Sequence, residues 1–382
     1  MKKLIAISVV FALAAGVAFA VDLGGDVIMS VNVIDADSGG AVRGSAEVKR
    51  IRIEGGGEVA DGKFGGWLRF GAGELAGIAW WKPIDQLKLG LGGNPDGIWG
   101  KEGNSGWMFY QGASDTQVVS PSNCWGGAYA AWPNRMRAAF YQGFGDNRLF
   151  IEISPVDMVS INIGIPFFQS KVLRTRTSDG HVGDPVEGGY DIGDVFKSTD
   201  AQIALNLSFG SFAFTYNGNS DIKQSKMFGY FCLTAIDNLS IDFGLGAEFN
   251  NNNPLSLGLA VKYGTDSWGI KFRSLFNIPL GKEDADGNPK PFGLLFDVLP
   301  YFVVNENFRV YVSGGVNFGD VKDIKNATTT WHVNPYIEIG EEWGPRFFAG
   351  IKVYQRINNK PWDDDMDSLV HFAVPIAIAV SF

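Results

Sequence analysis

Hydrophobic and polar positions alternate with a period of two along most of the chain. The clearest segment is 239–249, where Leu, Ile, Phe and Ala occupy the odd positions and Ser, Asp, Gly and Glu the even ones. Segments 159–165, 255–263, 268–273 and 308–318 follow the same pattern. Because successive side chains of a strand point to opposite faces, this pattern predicts β-strands with one apolar face.

The connections between these segments alternate in length. Short ones lie around Asp85, Asp157 and Asp237, in a weakly repeated motif in which Asp favours a tight turn. The longer ones are at 93–123, 166–199, 217–224, 279–291, 319–330 and 357–369, with 142–146 and 250–254 as brief exceptions. Short turns on one rim and longer loops on the other are typical of membrane barrels, whereas a soluble sandwich has no reason to keep this order. The sequence therefore predicts an all-β protein, a transmembrane antiparallel up-and-down β-barrel with an even strand number of about 18, within roughly 16–20.

Residues 1–20 are typical of a secretory signal peptide. Two lysines precede an apolar stretch, and Ala18 and Ala20 provide the small-x-small cleavage pattern. We therefore expect cleavage after Ala20. No later apolar run approaches the roughly 18 residues that a membrane helix needs.

Composition narrows the class of protein further. The chain has 382 residues, 50 of them Gly, with a formal net charge of −9 and 19% charged residues, against about 25% in ordinary soluble domains. It is too apolar and aromatic for a disordered chain, and two cysteines are too few for a disulfide scaffold. Its acidity argues against nucleic acid as the main partner. Whether Cys124 and Cys232 pair is left open by the sequence.

The sequence contains no recognisable motif for catalysis or cofactor binding. His181, His332 and His371 are scattered, and no nucleophile-elbow or phosphate-loop spacing is present. Acidic clusters at 283–286 and 363–367 lack the twelve-residue spacing of a calcium loop. We therefore expect a protein that is not an enzyme and that holds no cofactor or structural metal.

The C-terminal segment points to a particular class of barrel. Apolar residues occupy every second position from Phe372 to Phe382, the last residue. This segment resembles the closing strand of bacterial outer-membrane porins. The resemblance implies an integral barrel surrounded by outer-membrane lipid, with Phe372 and Phe382 as the signal read by the barrel-assembly machinery and a homotrimer as one possible assembly. Pro375 departs from the pattern, and because proline cannot donate to a ladder, a bulge or a non-bonded position is expected there.

If the apolar faces contact lipid, the alternate residues line an aqueous lumen. An Arg or Lys on the lipid face would cost roughly 2–4 kcal/mol at the midplane, so basic side chains must point inward. The candidate channel-lining residues are Arg50, Arg52, Arg69, Lys88, Lys262, Lys271, Arg273, Arg309 and Lys352. Acids at equivalent positions are fewer, namely Glu54, Asp242, Glu248 and Glu338. Basic linings favour anions, so we expect a mild anion preference.

These features predict a porin, a water-filled channel for passive diffusion of small hydrophilic solutes. Two alternatives remain open: a substrate-selective channel for sugars, organic anions or peptides, and a surface barrel that acts mainly as an adhesin. We expect one barrel domain over 21–382, with long loops at 93–123 and 166–199. Loops of this length are usually functional or disordered, and the aromatic 93–123 segment is the better candidate to enter the lumen, with 166–199 capping its mouth.

The terminal aromatic residue gives the first testable prediction. Deleting Phe382, or changing it to Ser, should leave the exported chain unassembled, because the outward apolar stripe would lose its final aromatic side chain. Protease digestion of the periplasmic fraction measures this, and the variant should be degraded while the unmodified chain is protected. Normal membrane insertion of the variant would contradict the resemblance to a porin closing strand.

Overall fold

The computed structural model describes residues 22–71, 74–93, 148–166, 172–176, 182–187, 192–218, 225–248, 254–283, 290–327, 329–341, 344–357 and 369–381. Within these stretches the chain is almost entirely β-strand, with one short helix, α1 (Ile192–Lys197). None of the helical residues described forms a helix long and apolar enough to cross a membrane.

Twenty-one strands follow one another along the described chain. The first nine are β1 (Asp22–Asp37), β2 (Val42–Val59), β3 (Phe64–Gly71), β4 (Glu74–Ile84), β5 (Leu87–Gly93), β6 (Arg148–Val156), β7 (Val159–Pro166), β8 (Val172–Arg176) and β9 (Val182–Glu187). After α1 come β10 (Asp200–Leu207), β11 (Gly210–Asn217), β12 (Lys226–Ile236), β13 (Leu239–Glu248), β14 (Pro254–Gly264) and β15 (Trp268–Pro279). The last six are β16 (Gly293–Asn305), β17 (Phe308–Phe318), β18 (Thr329–Gly340), β19 (Arg346–Gly350), β20 (Lys352–Ile357) and β21 (Val370–Ser381).

Nineteen of these strands form one antiparallel sheet that closes on itself. The closing seam joins the two ends of the chain, since β1 pairs with β2 on one side and with β21 on the other. β7 pairs directly with β10, so β8 and β9, which form a separate hairpin, lie in the connection between neighbouring wall strands. The predicted transmembrane up-and-down barrel topology is therefore confirmed.

The strand number follows from the pairing of β19 and β20. Both pair with β18 and both pair with β21, in one continuous register interrupted only at Ile351. They therefore occupy a single position in the wall, so that the nineteen sheet strands fill eighteen positions. Over the described chain this agrees with the even number near 18 that the sequence predicts.

The expected irregularity at Pro375 lies in the neighbouring strand. Asn32 is opposite Pro375, and the next pair joins Asp35 to Ala373, so β1 contains one extra residue at this point. The same shift occurs where β1 pairs with β2. A β-bulge interrupts the ladder locally, which accommodates a residue that has no backbone donor.

Connection lengths differ between the two rims of the barrel. On one rim, called here the short-turn rim, two to five residues join the strands, from 60–63 to 341–345. The opposite long-loop rim includes brief connections such as 72–73 and also 94–147 and 167–199. β5 and β6 pair directly, so 94–147 joins two neighbouring wall strands, and the predicted lumen-entering segment 93–123 falls almost wholly outside the described residues.

Side chains alternate between two environments along each wall strand. On β10, Gln202 is buried whereas its neighbours Ile203 and Leu205 are exposed apolar residues. On β18, Glu338 is buried and Val333 is exposed. The exposed apolar side chains form the outer face of the barrel, and the buried, largely polar side chains form its inner face.

This alternation predicts opposite outcomes for two nearby substitutions on β10. Ile203→Arg places a charge on the outer face near the middle of the strand and should lower the free energy of unfolding by about 2–4 kcal/mol in lipid. Asn206→Arg, at an exposed position of inner-face parity, should change it by less than about 1 kcal/mol. Urea unfolding in liposomes measures both, and equal losses would contradict the assignment of the two faces.

Candidate functional site on the inner wall

Six of the nine predicted lining residues have described side chains, and all six occupy inner-face positions. They are Lys88, Lys262, Lys271, Arg273, Arg309 and Lys352. Lys271, for example, has the strand parity opposite to that of the exposed apolar residue Ile270 beside it. For Arg50, Arg52 and Arg69 the structure describes only the backbone, within β2 and β3, and their contribution stays a prediction.

Of the predicted assembly and processing residues, only Phe372 lies within the described chain. Phe372 is on the outer face of β21 and 40% exposed, as a lipid-facing residue should be. Phe382 and the cleavage residues Ala18 and Ala20 fall outside the described residues. The assembly signal and the cleavage site therefore remain predictions.

Two inner-face carboxylates that sequence reasoning missed lie opposite basic residues. Lys88 Nζ is 3.6 Å from the carboxylate of Glu152, its register partner on β6. Arg273 Nε donates to Asp297 Oδ2 at 2.9 Å, and the Nη2 group of Arg273 contacts the same oxygen. Alternation with Leu149, Ile151 and Ile153 could have revealed Glu152. Asp297 was harder to find, because Leu295 and Leu299 on the same face of β16 are apolar.

Glu338 is one of two predicted inner-face acids that are almost fully buried, and Asp242 is the other. The side chain of Glu338 is 2% exposed and accepts a hydrogen bond from Tyr311 Oη at 2.8 Å. Arg309 Nη1 donates to Glu338 Oε1 at 3.4 Å, and Arg346 Nη1 lies 3.7 Å from the same oxygen. One carboxylate thus faces two guanidinium groups close to the short-turn rim, and the favourable attraction is strong because water is largely excluded.

An aromatic cluster lies beside Glu338 on the inner face. Tyr311 and Tyr336 stack with ring centroids 4.7 Å apart, and Tyr301 lies 5.8 Å from Tyr311. Phe348 is fully buried, with the Arg346 guanidinium 5.6 Å from its ring. This sector is packed as a small core, so its residues contribute mainly to the stability of the wall.

A different arrangement covers the wall between β7 and β11. Asn162 Nδ2 donates to Gln202 Oε1 at 3.2 Å, and Gln202 Nε2 donates to Thr215 Oγ1 at 3.0 Å. The three residues are direct register partners and are almost fully buried. The result is a neutral hydrogen-bonded ladder across three strands. Cys232, on the inner face of the next strand β12, is a buried thiol 3.9 Å from Ser240 Oγ.

The sector from β17 to β21 carries mixed polar and aromatic groups. Ser313 Oγ lies 3.3 Å from His332 Nε2. Tyr354 stacks on His371 with centroids 4.7 Å apart, and the Lys352 ammonium lies 5.2 Å from the Tyr354 ring. His332 and Tyr354 are register partners, so these groups form one continuous strip of the wall.

These contacts reduce the positive excess that strand parity alone indicates. Lys88, Arg273, Arg309 and Arg346 each face a carboxylate on an adjacent strand. Lys262 and Lys352 have no carboxylate partner in the described part of the wall. No group of three or more His, Cys, Asp and Glu side chains suited to a metal ion occurs among the described residues.

Comparison with solved structures identifies the fold. The chain is similar to the anion-selective porin from Comamonas acidovorans over 95% of this chain and 99% of that one, at a TM-score of 0.52 and 11% identity. It is similar to Pseudomonas aeruginosa OccK11 (OpdR) over 95% of each chain, at a TM-score of 0.51 and 9% identity. It is also similar to Pseudomonas aeruginosa OpdQ over 95% of this chain and 99% of that one, at a TM-score of 0.51 and 9% identity.

No family model and no curated protein sequence matches the chain. At identities of this size the structural likeness establishes the fold alone, and the chain has the all-β transmembrane-barrel fold of these structures.

The Glu338 cluster predicts a large effect of one truncation on stability. Glu338→Ala leaves two largely buried guanidinium groups without their acid and should lower the free energy of unfolding by about 3 kcal/mol. Glu152→Ala is the matched control, since both partners of that pair are 25% exposed and the expected loss is below about 1 kcal/mol. Denaturant unfolding in detergent micelles measures both, and similar losses would refute the special role of Glu338.

Proposed function

We propose that the protein is an outer-membrane porin, a water-filled channel through which small hydrophilic solutes diffuse passively, with a mild preference for anions. The observation that carries the proposal is a closed antiparallel wall with an apolar outer face and charged residues along its inner face. Such a wall satisfies its backbone in lipid and presents a polar surface to a lumen.

The proposal includes location and partners. The signal peptide at 1–20 directs export, the exposed apolar face contacts outer-membrane lipid, and the barrel-assembly machinery inserts the chain through its C-terminal strand. The short-turn rim faces the periplasm and the long-loop rim faces outside, in the arrangement usual for such barrels. Homotrimer formation remains part of the proposal.

The anion preference rests on inner-face cations that no carboxylate offsets. Lys262 is exposed and lies near the short-turn rim, three residues before the turn that begins at Thr265. A lining whose charges have one sign concentrates mobile ions of the opposite sign. Among the described residues, most other inner-face cations are paired with a carboxylate. Because of this pairing, and because salt screens charges beyond about 8 Å at physiological strength, the preference should be modest and larger in dilute salt. The Comamonas acidovorans structure is described as an anion-selective porin, and that description supports the proposal only by analogy of fold.

A substrate-selective channel is the second candidate. It is favoured by one observation, a set of buried polar side chains on β16 to β18 that lack protein partners, including Asn317 and Asn334. A general diffusion pore has no need for such groups, whereas a selective one would use them to hold a solute.

Ion selectivity tests the proposed function directly. In a planar bilayer with a potassium chloride gradient, the purified protein should conduct, and its reversal potential should indicate that chloride passes faster than potassium. Lys262→Glu should shift that potential toward potassium, because it reverses an unpaired charge inside the lumen.

The matched control is Lys63→Glu, which reverses a charge at an exposed turn on the rim. It should leave the reversal potential nearly unchanged, because a charge in bulk salt is screened. Absence of conductance would refute the channel, and equal shifts in both variants would refute the assignment of the preference to the inner wall.

A further inference from the structure

Charged residues that face each other across neighbouring strands follow one rule, with a single exception in the described chain. Wherever two charged residues are register partners, a base lies opposite an acid, as Arg273 lies opposite Asp297. The exception joins Lys262 on β14 to Lys271 on β15. Like charges directly opposite each other lower the stability of a sheet, so this pair needs a separate explanation.

Both lysines are on the inner face near the short-turn rim. Lys262 is exposed and Lys271 is partly exposed, so a solute in the lumen has access to both side chains. Cross-strand neighbours have Cβ atoms about 4.5–5.5 Å apart, and each ammonium group is carried on a flexible four-carbon stem. The two ammonium groups can therefore converge on one small ligand.

The row of inner-face residues that contains the two lysines continues with neutral residues on both sides. The register partner of Lys262 on β13 is Ser240, and the register partner of Lys271 on β16 is Leu299. The pair thus lacks the cross-strand acid that the register supplies to the other inner-face bases.

The acids in the neighbouring positions are engaged elsewhere. Asp242 is fully buried and accepts a hydrogen bond from the Ser240 hydroxyl at 3.5 Å. Asp297 is bound by Arg273. Asp266, in the turn between β14 and β15, is exposed, and its charge is screened by salt. The positive charge of the pair is therefore available to an anion in the lumen.

A tyrosine hydroxyl lies beside the pair at the rim. Tyr301 is the register partner of Gly269, and a Cβ at Gly269 or at Gly264 would overlap its hydroxyl. The two glycines thus leave room for Tyr301 Oη over the end of the β14–β15 hairpin, two residues along the strands from Lys262 and Lys271. A phenol O–H can donate a further hydrogen bond to an anion.

Two ammonium groups that repel each other favour a ligand with two negative charges. A single compact group bearing both charges bridges the ammonium groups and offsets their repulsion. Hydrogen bonds between ionised partners are roughly twice as strong as those between neutral ones. Chloride carries one charge and gains less from the second lysine than sulfate or hydrogen phosphate does.

We propose that Lys262, Lys271 and Tyr301 form a binding subsite for small divalent oxyanions on the inner wall near the short-turn rim. The proposal rests on the proposed channel function, because the anion must enter the lumen to reach these residues. It deepens the proposed anion preference by naming the class of anion and the residues that hold it.

Inhibition of the chloride current by sulfate tests the subsite. In planar bilayers bathed in potassium chloride, sulfate added at constant ionic strength should lower the chloride current along a saturable curve. Perchlorate has the tetrahedral shape of sulfate and one charge instead of two. Its half-saturating concentration should be at least about tenfold higher, the difference expected for one charge-assisted hydrogen bond.

Variants of the purified full chain locate the subsite. Lys262→Gln and Lys271→Gln should each raise the half-saturating sulfate concentration about tenfold. The double variant should lose little more, because a bridged anion needs both lysines and residues that share one ligand are not additive. Tyr301→Phe should raise that concentration about threefold, the loss expected for one neutral donor.

The matched control is Lys88→Gln. It removes the same charge from the inner face near the same rim, at a lysine whose ammonium group faces Glu152. Its half-saturating sulfate concentration should stay within about twofold of the value for the unmodified protein, because a charge already paired contributes little to binding a free anion.

The outcomes separate this inference from the proposed function. A conducting channel without saturable inhibition by sulfate would overturn the subsite and leave the porin proposal intact. Equal inhibition by sulfate and perchlorate, or an equal loss in Lys88→Gln and the Lys262 and Lys271 variants, would assign the effect to the general charge of the lining and would also overturn it. Stronger inhibition by malonate than by sulfate would overturn the oxyanion class in favour of small dicarboxylates. Absence of any conductance would contradict the channel itself.

Discussion

The structure depends on one constraint, that backbone N–H and C=O groups in a hydrocarbon environment must be paired within the protein. An open sheet leaves an edge unpaired, and the seam between β1 and β21 removes that edge by joining the two ends of the described chain. Closure then fixes the parity of every wall strand, because each side chain points either to lipid or to the interior. The long alternating segments of the sequence are the direct consequence of this requirement.

Parity also determines how the charges are arranged. Polar and charged side chains are confined to the inner face, where the register places them opposite each other on neighbouring strands. Lys88 with Glu152, Arg273 with Asp297, and Arg309 with Glu338 are all direct register partners. Cross-strand neighbours have Cβ atoms about 4.5–5.5 Å apart, close enough for an ion pair without distortion. Ion pairing inside this wall is therefore a property of the register, and the charge that remains free to act on ions is smaller than a residue count suggests.

The fold was more accessible to sequence reasoning than the inner wall was. Alternation, connection length and the segment from Phe372 to Phe382 were enough for the barrel, its strand number and the outer face, because lipid imposes the same demand on every strand. The inner face is not surrounded by one solvent that would require the same kind of residue at every position. It includes apolar residues such as Leu299 and Phe348, which obscure the alternation, and its pairs depend on a register that a single strand does not reveal. Asp297 was missed for this reason.

The inner wall is consequently where proteins of this fold can differ while the outer face stays the same. The sector from β7 to β11 joins its amides in a ladder through Asn162, Gln202 and Thr215, although Asn162 Oδ1 is buried without a hydrogen-bond partner. The sector from β16 to β18 leaves comparable amides without protein partners. Both sectors meet the lipid constraint equally well, so that constraint does not explain the difference between them. An unsatisfied buried amide lowers stability, so the two sectors differ in how far their inner-face amides stabilise the wall.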